Sequence, residues 1–94
     1  MLRFEFTGTV LEWRGPSPYY FVATPAEVTA EIEAIKQAVS YGWGVVPASV
    51  TIGGVQVTTS LIPRDGGFLV PLKDAVRKPN ELSAGDEVSL VLEI

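Results

Sequence analysis

The pair Gly53-Gly54 lies between two runs of alternating apolar residues, and it constrains the fold more than any other feature of the sequence. Two consecutive glycines suit the positive φ angles of a two-residue β-turn. A turn at this pair places Val50 opposite Val57 and Val46 opposite Leu61, so the apolar residues of both strands share one face. A shift of one residue would move that set to the other face. The sequence therefore predicts an antiparallel hairpin with this register.

Alternation of apolar and polar side chains predicts the remaining strands. The first strand covers residues 2–12, with Gly8 as a candidate bend. Short strands are predicted over residues 19–23 and 68–72, and a final strand over residues 88–94. About six strands with one substantial helix indicate a mainly β fold, a small closed or nearly closed barrel.

Two helices are predicted beside these strands. Thr24 and Glu27 have the spacing of a capping box at the start of the first helix. The apolar residues that follow are spaced by four, three and four positions, as on one face of an amphipathic helix over about residues 25–40: Val28, Ile32, Ile35 and Val39. A second, short helix is predicted over about residues 73–78, because Pro79 cannot continue it.

Charge and length limit the possible partners. The 94 residues predict one domain, residues 1–94, and the net charge of −4 argues against nucleic acid, which is bound through Lys and Arg. The longest stretch without charge, between Lys36 and Arg64, is interrupted by glycine and proline, so no membrane span is expected. The first residues alternate apolar and charged side chains and do not resemble a signal peptide, so we expect a cytoplasmic protein.

The sequence has no histidine and no cysteine. The commonest general base, the thiol nucleophile and the main ligands of transition metals are therefore missing. A Ser–His–Asp triad cannot form within one chain. We accordingly predict no catalytic residue, no metal site and no cofactor.

Two candidate binding features remain. Lys73 and Arg77 are four positions apart on the predicted short helix, so both side chains would leave one face and could bind a small anion. The alternative is structural, because Asp74 and Lys78 have the spacing of an ion pair and cations suit a helix C-terminus. Trp43 could serve as a ligand platform, or it could pack against the barrel after the helix ends.

Five segments together carry a resemblance to a known family: residues 42–47, 50–54, 59–61, 72–78 and 82–88. With these segments in this order, the chain resembles the bacterial domain-of-unknown-function (DUF) family nineteen-zero-five over nearly its whole length, including the opening strand. The resemblance implies a small closed β-barrel of complex topology in its stand-alone form. It implies no catalytic or binding residue.

Three functions follow from these observations, in order of preference. The first is a non-catalytic binding or interaction domain for a small ligand or a protein partner. The second is a DNA-binding dimer, because the segment over residues 72–88 resembles the helix and Gly-Asp turn of AbrB-like swapped-hairpin transcription factors, whose barrel is built by two chains. The third is an enzyme that uses Lys, Tyr or carboxylates. The sequence leaves the oligomeric state open.

Overall fold

The structure, a computed structural model, describes residues 2–15, 19–39 and 45–94. In this part of the chain, seven strands and two helices follow one another as β1 (Arg3–Thr9), β2 (Leu11–Trp13), β3 (Tyr19–Ala23), α1 (Ala26–Val39), β4 (Val46–Ile52), β5 (Val55–Arg64), β6 (Gly67–Pro71), α2 (Asp74–Arg77) and β7 (Glu87–Glu93). The strands form one antiparallel sheet with the order β1-β7-β4-β5-β6-β3-β2. The prediction of a mainly β fold with one long and one short helix is confirmed.

The two ends of this sheet are two parts of one bent strand. β1 pairs with β7 and β2 pairs with β3, and only Val10 separates β1 from β2. The N–H of Val10 donates to the carbonyl of Asp86, and its own carbonyl accepts from the N–H of Gly85, both at 2.8 Å. The sheet therefore curls into a half-barrel, and its two edge strands, β1 and β2, are joined at Val10. The sequence-based count of about six strands treated the bent strand as one.

Gly8 explains how the bent strand can approach β3. A Cβ atom at this position would lie 2.5 Å from Cγ1 of Val22, which is much closer than the usual contact distance of two non-bonded carbon atoms. A side chain larger than hydrogen would therefore push β1 away from β3. Glycine in the middle of a strand often marks this kind of close approach.

The central hairpin has the predicted register. Val50 pairs with Val57, and Val46 pairs with Leu61. The φ angles are 55° at Gly53 and 80° at Gly54, both in the left-handed region that a type I′ turn requires. The prediction of the turn and of the register is confirmed.

The helix α1 supplies two side chains to the core of the half-barrel. Val28 and Ile32 are buried and Ile35 is half-buried. The helix begins at Ala26, and the Thr24 hydroxyl lies 2.6 Å from the hydroxyl of Thr29, not against the helix amide that a capping box requires. Three members of the predicted stripe therefore face the core, and the side chain of the fourth, Val39, lies outside the described residues. The predicted capping box is replaced by a contact between two hydroxyl groups. No helix in the described ranges is long and apolar enough to cross a membrane.

The segment around α2 is tied to the tip of the hairpin. The side-chain amide of Asn80 donates to the carbonyls of Ile52, at 3.1 Å, and of Val76, at 2.8 Å. A Cβ atom at Gly53 would collide with the side-chain oxygen of Asn80.

Candidate functional site

The outer face of β2 and β3 carries large apolar side chains. Cross-strand pairing places Leu11 opposite Phe21 and Trp13 opposite Tyr19. Since side chains alternate between the faces of a strand, and Val22 is buried in the core, Tyr19 and Phe21 must point outward. This face of the sheet is therefore apolar although it lies away from the core.

The three aromatic rings form a row. The ring centroids of Trp13 and Tyr19 are 6.0 Å apart with an interplanar angle of 19°. Those of Tyr19 and Phe21 are 6.2 Å apart at 36°. Trp13 is 53% exposed and Tyr19 is 52% exposed. The rings support one another across the strands, and about half of the surface of Trp13 and of Tyr19 faces solvent.

Two rings of this row, Trp13 and Phe21, line the aromatic groove, a depression of about 740 Å³ on the outer face, whereas Tyr19 lies beside it and lines the cleft next to Lys73. One wall contains Trp13 and Phe21, and Leu69 of β6 extends the apolar surface. The opposite wall is the start of α1, where Ala26 and Ala30 lie one helical turn apart and present only methyl groups. Small residues on the helix therefore keep the groove open.

Charged side chains at the rim of the groove occur in pairs of opposite sign. Glu12 lines the groove, and its Oε1 lies 3.2 Å from Nε of Arg14. Arg64 and Asp65 line its other end, with Nε and Oδ2 3.7 Å apart. The groove thus combines apolar walls with donors and acceptors whose charges largely cancel.

The structure places the two predicted anion-binding residues in different surroundings. Lys73 precedes α2 and has extended backbone angles, φ −65° and ψ 154°, so the helical spacing used in the prediction does not apply to it. Its Nζ donates to the carbonyl of Thr58 at 2.6 Å. It lines a second cleft of about 730 Å³ together with Thr59 and Ser60, and Arg77 is not among the lining residues of that cleft.

Arg77 is held by groups within the fold. Its guanidinium carbon lies 4.2 Å from the ring centroid of Tyr20, a cation–π distance. One terminal nitrogen donates to Oδ1 of Asp74 at 3.2 Å, and the other donates to the carbonyl of Leu82 at 3.5 Å. Its Nε is buried with no hydrogen-bond partner. The candidate anion site remains a prediction, and its two members do not converge on one point.

The carboxyl group of Asp74 is held in its charged form. The hydrogen bond from Arg77, followed by the nearby charge of Lys78, lowers the pKa of Asp74 from its ordinary value. Nζ of Lys78 lies 3.6 Å from Oδ2 of Asp74, which is the ion pair of the structural alternative. These contacts give the charges around α2 a structural role.

Trp43, the predicted ligand platform, lies outside the described residues. Sequence reasoning missed Trp13, Tyr19 and Phe21, although a signal was available. Tyr19 and Phe21 alternate with Tyr20 and Val22, so β3 is apolar on both faces while only one can face the core. Within the described ranges, no group of three or more acidic side chains is arranged to hold a metal ion.

One protein-family model matches the chain, over residues 6–92, and its description is "Domain of unknown function (DUF1905)". No curated protein matches the chain. The matched model carries the number of the family that the sequence resembles, and the match covers nearly the whole chain. The match begins within β1 and leaves out residues 2–5 of the opening strand, and the description assigns no stand-alone form.

Proposed function

This chain belongs to the DUF1905 family, whose description assigns no activity, and from its own geometry we propose that it is a non-catalytic binding domain for a small ligand. The observation that carries the proposal is the row of half-exposed aromatic rings beside the aromatic groove. Pockets that bind small molecules typically have volumes of about 300–1,000 Å³ and combine apolar walls with a few polar groups. The groove has both properties.

The exposed rings can contribute substantial binding energy. Trp13 and Tyr19 each expose about half of the side chain, which corresponds to on the order of 100 Å² each. Covering both would contribute roughly 5 kcal/mol from apolar area alone. Association itself costs at least about 4 kcal/mol. We therefore expect weak binding from stacking alone and useful affinity only when the polar rim also takes part.

The area favours a small ligand over a stable protein partner. The exposed parts of Leu11, Trp13 and Tyr19 together amount to on the order of 300 Å². A stable protein interface buries about 800 Å² on each partner. Most of the area of such an interface would have to come from surface beyond these three side chains.

Addition of a partner strand to the free edge of β2 is also disfavoured. β2 ends the described sheet and has only three residues. Its central residue is Glu12, whose side chain is mostly covered and paired with Arg14. Short edge strands and covered charges are features that block edge-to-edge pairing. The groove is therefore a better binding surface than the strand edge.

The biological setting is part of the same proposal. We place the domain in the bacterial cytoplasm, with no nucleic acid or membrane as partner, because the chain is acidic and the cations at the groove have carboxylate partners. Fractionation of cells that produce a tagged chain would test the location. Recovery in the envelope fraction would contradict it.

The binding function can be tested by a fragment screen observed by NMR. We expect neutral aromatic and saccharide fragments to shift the signals of Trp13 and of neighbouring groove residues in the wild-type chain. Trp13→Ala should abolish these shifts, whereas Leu2→Ala, which removes an exposed apolar side chain outside the groove lining, should keep them. Circular dichroism of both variants checks that the fold is retained. The proposal fails if no fragment shifts groove signals.

A further inference from the structure

The inference concerns the chemistry of the ligand and rests on the binding function proposed above. We propose that the aromatic groove binds a neutral saccharide, with a sugar ring stacked against Trp13 in the groove and reaching Tyr19, whose ring lies beside Trp13. Three properties of the groove carry this inference: its exposure, its balance of charge and the spacing of its rings.

The exposure of the groove requires a ligand with one apolar face. The two rings lie on the outer face of the sheet and remain about half exposed. A wholly apolar ligand is bound best where most of its surface is enclosed, but a molecule lying on these rings would keep its outer side in water. A pyranose ring suits this position, because its C–H face can cover an aromatic ring while its hydroxyl groups stay hydrated.

The charge balance of the groove favours a neutral ligand. Among the described residues, Glu12 at one end is paired with Arg14, and Arg64 at the other end is paired with Asp65. The two pairs leave no excess charge of either sign at the groove that would attract an ion. A neutral ligand can bind without breaking either pair.

The same pairs supply the hydrogen bonds that a sugar needs. A hydroxyl group is both a donor and an acceptor. Arg64 provides N–H donors and Asp65 provides carboxylate acceptors within one exposed turn, with side chains 59% and 92% accessible. Thr24 and Thr29, which also line the groove, bring two hydroxyl groups 2.6 Å apart. Hydroxyl groups of a sugar bound at the apolar wall would therefore lie near hydrogen-bond donors and acceptors at the rim of the groove.

The row of rings indicates more than one sugar unit. Successive centroids along Trp13, Tyr19 and Phe21 are 6.0 Å and 6.2 Å apart, so the apolar wall is longer than one ring. A second sugar unit could lie on the same wall without a second association cost. We therefore expect an oligosaccharide to bind at least tenfold more tightly than its monosaccharide.

The test is an NMR titration of the full chain with neutral oligosaccharides of glucose, xylose, mannose and N-acetylglucosamine, up to about 10 mM, which detects millimolar dissociation constants. We expect at least one series to shift groove signals. Trp13→Ala and Tyr19→Ala should each weaken that binding at least tenfold, and Leu2→Ala should leave it unchanged.

The outcomes separate this inference from the broader proposal. If aromatic fragments shift the groove signals and no oligosaccharide does, the saccharide inference is overturned and the binding function stands. If neither class shifts them, both are overturned. If an oligosaccharide binds equally well to the wild-type chain and to both aromatic variants, the site lies elsewhere and the inference is wrong. Chemical shifts of core residues report whether each variant is folded.

Discussion

The β4–β5 hairpin and the β2–β3 pair are both antiparallel, but they use their apolar residues in opposite ways. In the hairpin, Val50 and Leu61 are completely buried. In the β2–β3 pair, Leu11 and Trp13 are about half exposed on the outer face. The hairpin contributes its apolar face to the core, whereas the β2–β3 pair presents an apolar face in addition to the one facing the core. The hairpin therefore stabilises the core, whereas the outer face of β2 and β3 leaves apolar surface free for the binding that we propose.

The largest expected effect is the loss of stability on Leu→Ala in the hairpin, compared with the same substitution in the β2–β3 pair. Leu61→Ala should lower the free energy of unfolding by about 2–5 kcal/mol, because a fully buried leucine leaves a cavity. Leu11→Ala, at a side chain that is 45% exposed, should cost less than about 1 kcal/mol. Urea denaturation of both variants measures the difference. Equal losses of stability would contradict the difference between the two regions, because Leu11 would then support the fold as strongly as Leu61.

The next effect concerns the turn of the hairpin. Gly53→Ala should cost about 2 kcal/mol or more, because the residue has φ 55° and its new Cβ would collide with Asn80. Gly54→Ala has the same kind of backbone strain at φ 80°, but its Cβ would meet nothing within 4 Å, so it should cost about 1 kcal/mol.

The role of Asn80 in this difference can be measured separately. In a chain that already carries Asn80→Ala, Gly53→Ala and Gly54→Ala should have nearly equal costs, because the collision is gone while the backbone strain remains. Thermal unfolding would show this for Gly53→Ala and Gly54→Ala, each made with and without Asn80→Ala. The wild-type chain and Asn80→Ala alone are the two references. A cost of Gly53→Ala that stays the same with and without Asn80 would show that the contact has no energetic weight.

How far the sequence predicted these regions depends on how local the signal is. The hairpin could be predicted because two glycines and the alternation on both sides of them fix the turn and the register together. The closure of the sheet joins residues that are far apart in sequence, since β1 pairs with β7 and Val10 is hydrogen-bonded to Gly85 and Asp86, and no local pattern encodes it.

The candidate site was harder to predict for two physical reasons. β3 reads Tyr-Tyr-Phe-Val-Ala, so it has no polar face to show which side points outward. The proposed anion site depended on Lys73 being helical, yet the helix begins one residue later, and that residue has extended backbone angles. The Lys73 side chain reaches the carbonyl of Thr58, whereas Arg77 packs against Tyr20, and the sequence pattern predicts neither contact.

A smaller effect compares two arginines, Arg77 on α2 and Arg14 after β2. Arg77→Met should lower the free energy of unfolding by about 1 kcal/mol, because the guanidinium stacks on Tyr20 and is only 20% accessible. Arg14→Met removes an 89% accessible partner of Glu12 and should cost less than about 0.5 kcal/mol. Urea denaturation checks both. A larger loss for Arg14→Met would show that the rim of the groove supports the fold.

The smallest effect is a dependence of stability on pH that arises at Asp74. Its pKa is lowered from 3.8, first by the hydrogen bond from Arg77 and then by the charge of Lys78. Because the pKa of the folded state lies below that of the unfolded chain, the charged form stabilises the fold above about pH 3.9, and this contribution is lost as the pH falls through the folded-state pKa.

The position of Asp74 on the surface makes this contribution small, so the pKa itself is the better measurement. NMR titration of the carboxyl carbon should place the midpoint of Asp74 below its ordinary value in the wild-type chain. The midpoint should rise in Arg77→Met, which removes the first cause, and less in Lys78→Met, which removes the second. Arg14→Met serves as the control, because it removes the same charge from the rim of the groove and should leave the Asp74 midpoint unchanged. A midpoint that does not move in Arg77→Met would show that this hydrogen bond does not hold the carboxylate, and the contrast between a tightly paired α2 segment and an open groove would then rest on packing alone.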